Sequence, residues 1–256
     1  MEEPLIGARR IELFSVGSIT VILLGCVGMV EYSLVMPSMS AYVAKLGGDD
    51  FFYGCCMASF SFFRVCFMPV LGWWSDQRPM IEPFMFSLVL ALVGNIFYGC
   101  AEWADSKYFI LVGRSFVGMA AANTTLSMAY ITRITTNNTR TKALATLNGI
   151  NLLGIVMGPA TNLALTWSLD TGIEGLQLNK YTNPGFVMFF IVLIIVGIMA
   201  CTFKEPERIS DEDEFLLNPE NTVESWKTIY LRLFWGKCLW VHFAISFVSN
   251  FILAEL

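Results

Sequence analysis

The chain has 256 residues, of which 55% are hydrophobic and only 14% charged, and its formal net charge is −5. A soluble domain carries nearer a quarter charged residues, so composition excludes an ordinary soluble protein, and no basic patch for a nucleic acid is present. Seven stretches of about 20 apolar residues each match a hydrocarbon core of roughly 30 Å. In lipid each backbone amide must find its partner within its own segment, so the expected fold class is an all-α polytopic membrane helical bundle.

In chain order the crossings are expected at Leu13–Met36, Phe52–Trp74, Pro83–Ala101, Tyr108–Ile131, Ala143–Trp167, Gly185–Phe203 and Trp235–Leu256. Two connections are longer than the rest. Ser168–Pro184 contains Gly172, Gly175, Asn183 and Pro184, and Lys204–Lys237 begins acidic, with Asp211-Glu212-Asp213-Glu214, and turns basic. The first apolar run is too long for a cleaved leader, lacks a small-residue cleavage site and continues into Glu31 and Pro37. Cys26, Cys55, Cys56, Cys66, Cys100, Cys201 and Cys238 fall inside apolar runs without zinc-ligand spacing and read as buried thiols, so neither a metal nor a cofactor is expected.

Lys and Arg favour one side. Arg9, Arg10, Arg78, Arg133, Arg140 and Lys142 lie in short connections there, joined by Lys204, Arg208, Lys227, Arg232 and Lys237 in the long one. The other side holds Lys45, Lys107 and Lys180. This bias sets the N-terminus in the cytosol. The sequon Asn137-Asn138-Thr139 then faces the cytosol and is expected to carry no glycan, while Asn123-Thr124-Thr125 lies within a crossing.

Charges inside the crossings are costly, on the order of 2.5–3.5 kcal/mol on insertion scales, so each asks for a partner or a wet cavity. Glu31 precedes the outer end of the first expected crossing by about six residues, and Arg114 enters the fourth by about as many, so both lie roughly 9 Å deep. Matching depth permits a salt bridge or a proton-sensitive carboxylate held by a cation. A snorkelling Glu31 with a structural Arg114 fits the same spacing. Arg64 lies near the midplane of the second crossing, where it lines a pore, answers an acid such as Glu255, or is satisfied by carbonyls at a helix contact. His242, the single histidine, lies near the cytosolic end of the seventh crossing, and a proton relay is the less favoured reading there. No nucleophile with a base, phosphate-binding glycine loop or metal cluster supports an enzyme.

Three motifs resemble the major facilitator superfamily. Gly72, Asp76 and Arg78 match that family's loop between its second and third helices, although Gln77 replaces the first basic residue and Met80 and Ile81 occupy the usual dibasic position. Arg114, Gly118 and Ala121 are similar to its Arg-x-x-x-Gly-x-x-Ala pattern on the fourth helix, whose arginine the family links to proton coupling. Gly154, Gly158 and Pro159 resemble its Gly-x-x-x-Gly-Pro motif on the fifth, and small residues at that spacing also suit tight helix packing. A lysosomal branch of the family is similar in three phrases: Arg78-Pro79-Met80-Ile81-Glu82-Pro83, Lys107 to Gly118, and Leu176-Gln177-Leu178-Asn179-Lys180-Tyr181-Thr182.

The resemblance implies an N-terminal six-helix half at 1–203, a cytosolic central loop at 204–234 and the first helix of a second half at 235–256. The chain closes on Glu255-Leu256 with no polar tail, so a partial gene product or isoform is expected. It further implies a secondary transporter of endolysosomal membranes that moves a small solute or ion by alternating access. Glu31, Arg114 and Asn123 would then face the cavity. An anion channel, with Arg64 and Arg114 supplying positive potential, is the alternative. A seven-helix receptor would need an outside N-terminus. Glu212, Leu216 and Leu217 fit an acidic dileucine signal, with an adaptor complex as its partner on the cytosolic side.

Overall fold

The computed structural model describes residues 16–135, 137–168, 181–203 and 205. Over those residues the regular elements are helices: α1 (Val16–Lys45), α2 (Asp50–Gln77), α3 (Ile81–Gly99), α4 (Lys107–Ala121), α5 (Asn123–Ile134), α6 (Asn137–Ser168) and α7 (Asn183–Thr202). With α4 and α5 counted as one rod, six of the described spans are long and apolar enough to cross a membrane. The protein is a multi-pass membrane helical bundle. The seventh expected crossing, with His242 and Glu255, lies outside the described residues, as do Glu212, Leu216 and Leu217.

Local chemistry sets the ends. Asp49 opens α2 by accepting the Phe52 amide on Oδ1 at 3.0 Å. Arg78 closes it in an extended conformation (φ −130°, ψ 165°), as expected of a residue that precedes proline. The fourth crossing breaks for one residue at Ala122, where the amides of Ala122 and Thr125 bond three residues back, to Met119 and Ala122. Polar residues follow the break: Thr124 Oγ1 donates to the Ala121 carbonyl and Ser127 Oγ to that of Asn123, bonds that compete with the backbone ladder.

α1 differs most from expectation. It does not end at Met36 but passes Pro37 and continues to Lys45. Next to the proline, Asn162 Nδ2 on α6 donates to the Leu34 carbonyl and to Ser38 Oγ, and Met39, Tyr42 and Val43 bury an apolar stripe beyond it. The overhang is clasped from outside by a Lys45–Glu102 ion pair and by Tyr181, whose ring stacks on Tyr42 at 5.8 Å.

α1 packs most extensively on α6, α3 on α4 and α7, and α2 on α4. The core forms two apolar clusters. One holds Val21, Leu24, Leu88, Ala91 and Ala120, and the other Leu34, Val35, Tyr98 and Ile110. Glu31, Asn95 and Arg114 fall between the two clusters on α1, α3 and α4, so a polar layer divides the oily interior.

Candidate functional site

That polar layer is the candidate site. Arg114 heads the largest fully buried side chains and is 2% exposed. Gly118, one turn further along α4, brings this helix against the backbone of Phe60 on α2, where a Cβ would overlap the Phe60 carbonyl. The close approach lays the Arg114 guanidinium over the Phe60 ring, 4.6 Å from its centroid, a favourable cation–π distance. Arg114 Nε and Nη2 nevertheless have no hydrogen-bond partner among the described residues.

Glu31, 5% exposed, does not meet Arg114 in a salt bridge. Its Oε1 accepts instead from Asn95 Nδ2 at 2.5 Å, and the Asn95 amide also donates to the Ala91 carbonyl at 3.0 Å. The two groups lie in one layer, yet the salt bridge that matching depth permitted does not form, and α1 runs on past the end of its apolar run. Glu31 lies near the middle of the helix, about 21 Å from its C-terminal end at 1.5 Å per residue. Both side chains are buried in the layer between the two apolar clusters. The carboxylate is thus held by a neutral amide and the guanidinium by an aromatic face.

Arg64 lies beside this layer on α2, half-buried. Its Nη2 donates to Thr124 Oγ1 at 3.4 Å, at the break between α4 and α5, and its Nε has no partner among the described residues. Asn123 is buried at the same break. Among the described residues Arg64 therefore meets a hydroxyl, not an acid; Glu255 lies outside them. Tyr32 packs at a tilt against Phe60, with ring centroids 5.0 Å apart.

The other motif residues act away from this layer. Asp76 reaches across from α2 to Arg133 in the last turn of α5 at 3.0 Å, and Arg133 also bonds the Ser75 carbonyl at 3.2 Å. Ser75 Oγ closes back on the Gly72 carbonyl at 2.8 Å. Arg78 is exposed beside Trp73, Trp74, Gln77 and Glu82. Gly154 and Gly158 lie buried in the α1–α6 seam, and Pro159 beside them is exposed. A Cβ on Gly154 would stand 2.5 Å from the Cys26 carbonyl, and one on Gly158 would overlap Ser33 Oγ. This motif supplies packing.

Asn95 is the residue that sequence reasoning missed. A buried amide in an otherwise apolar helix was the available signal, and its partner was legible only once α3 was set against α1. Asn162 and Ser33 were missed in the same way; Ser33 Oγ contacts the Met29 and Gly154 carbonyls.

The profile of the Major Facilitator Superfamily matches residues 21–256. Major facilitator superfamily domain-containing protein 8 of Xenopus laevis is 30% identical over 204 residues, covering 76% of this chain and 40% of the relative. An SPX domain-containing membrane protein of Oryza sativa subsp. indica is 29% identical, covering 80% of this chain and 28% of that one. The chain therefore spans less than half the length of these relatives. A crystal structure of a bacterial homolog of the human lysosomal transporter Spinster, inward-facing and occupied, aligns with a TM-score of 0.57 at 17% identity. That alignment covers 78% of this chain and 47% of the other, a likeness of fold. With a profile match across most of its length, the chain belongs to the Major Facilitator Superfamily.

Proposed function

We propose that this chain is the leading half of a secondary transporter of endolysosomal membranes, which moves a small solute or ion by alternating access. On this reading residues 1–203 form one lobe, 204–234 the cytosolic central loop, and 235–256 the first helix of the second lobe, with the N-terminus cytosolic. The observation that carries the reading is the buried Arg114, two of whose nitrogens are unpaired beside a carboxylate that bonds an amide instead of the cation. Such a cation is a poor strut and a good counter-charge for something that comes and goes.

Glu31 is the proton carrier in this scheme and Arg114 the cation that opposes its protonation. Protonated Glu31 releases the Arg114 charge to a second partner, and deprotonation reclaims it. Asn123 and Arg64 line the adjoining wall. Sorting to endolysosomes rests on Glu212, Leu216 and Leu217, read by an adaptor complex.

The test is pH-dependent flux in vesicles reconstituted with the protein and its second lobe. Glu31→Gln and Arg114→Ala are each expected to abolish the pH dependence; unchanged flux in both removes them from coupling. Unitary currents in planar bilayers would replace the carrier with the anion channel.

A further inference from the structure

The turn between α2 and α3 contains a cleft that the transport reading does not use. Trp73, Trp74, Gln77, Arg78 and Glu82 line it around a volume of about 380 Å³. Its walls carry one charge of each sign. Trp74 Nε1 donates to Glu82 Oε2 at 3.3 Å and so orients the carboxylate, while Arg78 makes no ion pair among the described residues. Trp73 is 64% exposed.

Below the cleft the two helices present apolar side chains at helical spacing. Val70 stands one turn before Trp73 on α2, and Phe86 and Val89 follow Glu82 on α3; all three are exposed, and Phe86 contacts Trp74 at 5.2 Å between centroids. A largely apolar cleft flanked by one cation and one carboxylate therefore opens onto an apolar strip at the end of two membrane-length helices.

We propose that this cleft seats the headgroup of a zwitterionic phospholipid, with its acyl chains along Val70, Phe86 and Val89. The planar guanidinium of Arg78 matches a phosphodiester. The ammonium end meets the Glu82 carboxylate and the tryptophan faces, which attract quaternary and primary ammonium groups. Tryptophan belongs at the depth of headgroups. The charge balance selects the class: an anionic lipid would satisfy Arg78 but set Glu82 against a group of its own sign. The apolar strip selects a lipid over a free phosphate ester.

The protein is reconstituted in nanodiscs of mixed phosphatidylcholine and phosphatidylglycerol, released, and weighed by native mass spectrometry. One retained phosphatidylcholine is expected. Arg78→Gln and Trp73→Ala, both at exposed side chains, are each expected to lower its retention by about fivefold. Glu82→Gln should shift retention towards phosphatidylglycerol, and Trp103→Ala, remote from the cleft, should retain it. Equal retention of both lipids in protein and variants alike means annular lipid only and overturns the proposal. Displacement by excess inorganic phosphate would make this a free-anion site and overturns it too. The readout is bound mass, so its failure leaves the transport reading untouched.

Discussion

A guanidinium withdrawn from water costs several kcal/mol unless something answers it. Arg114 has an aromatic face and a carboxylate in electrostatic range, yet two of its nitrogens are unpaired. An apolar side chain of similar volume would fill the space with less strain. The double variant Glu31→Gln/Arg114→Met, which removes both buried charges, is therefore expected to match or exceed the parent protein in thermal unfolding in detergent, by about 1–4 kcal/mol, while its pH-dependent flux disappears. A clear loss of stability would make Arg114 a structural strut. Asn95→Ala should do the reverse and cost about 1–3 kcal/mol, because a buried Glu31 oxygen loses its donor. Glu31 and Arg114 were legible in the sequence because charge inside an apolar run stands out. Asn95 was not, since a lone neutral amide is cheap enough on a helix to pass unnoticed until its neighbour is known.

Helices that touch in lipid gain little from the hydrophobic effect, so small residues that admit close approach decide which ones pair. Gly149 and Gly158 share α6 but differ in surroundings: a Cβ at Gly149 meets nothing within 4 Å, and one at Gly158 overlaps Ser33. Gly149→Ala is expected to stabilise the protein by about 0.5–1 kcal/mol through helix propensity. Gly158→Ala should cost about 1–3 kcal/mol or more, because the obstacle is the α1 seam itself. Equal melting temperatures for the two variants would remove the seam from the account. At the start of α3 no side chain of its own N-cap contributes a bond, and Glu205 Oε1, arriving after α7, accepts the Met80 amide at 2.6 Å. Glu205→Ala should speed amide exchange at Met80 and cost about 0.5–1 kcal/mol; an unchanged exchange rate would show the cap to be idle. Six of the expected crossings were legible as elements because a span of apolar residues has one solution in lipid. Their ends were less so, since Pro37 looked like a stop and became an interior residue once Asn162 took up a neighbouring carbonyl.

At the scale of the whole molecule, orientation remains the sharpest test of the bundle in its membrane. The Lys/Arg bias predicts a cytosolic N-terminus and a cytosolic Asn137 sequon. In sealed organelles an N-terminal tag should be digested by added protease and Asn137 should carry no glycan; a protected tag or a glycan inverts the topology. Composition and apolar periodicity by themselves determined a polytopic helical bundle, because a bilayer leaves the backbone no alternative to helix. Motif residues on α2, α4 and α6 pointed to the family, because packing and turn chemistry leave their mark in local spacing. Only the tertiary structure decided that Glu31 bonds Asn95 and that Arg114 lies unpaired over Phe60. Those outcomes depend on how far each helix runs and which face it turns inward, and rotation about a helix axis is fixed by neighbours distant along the chain.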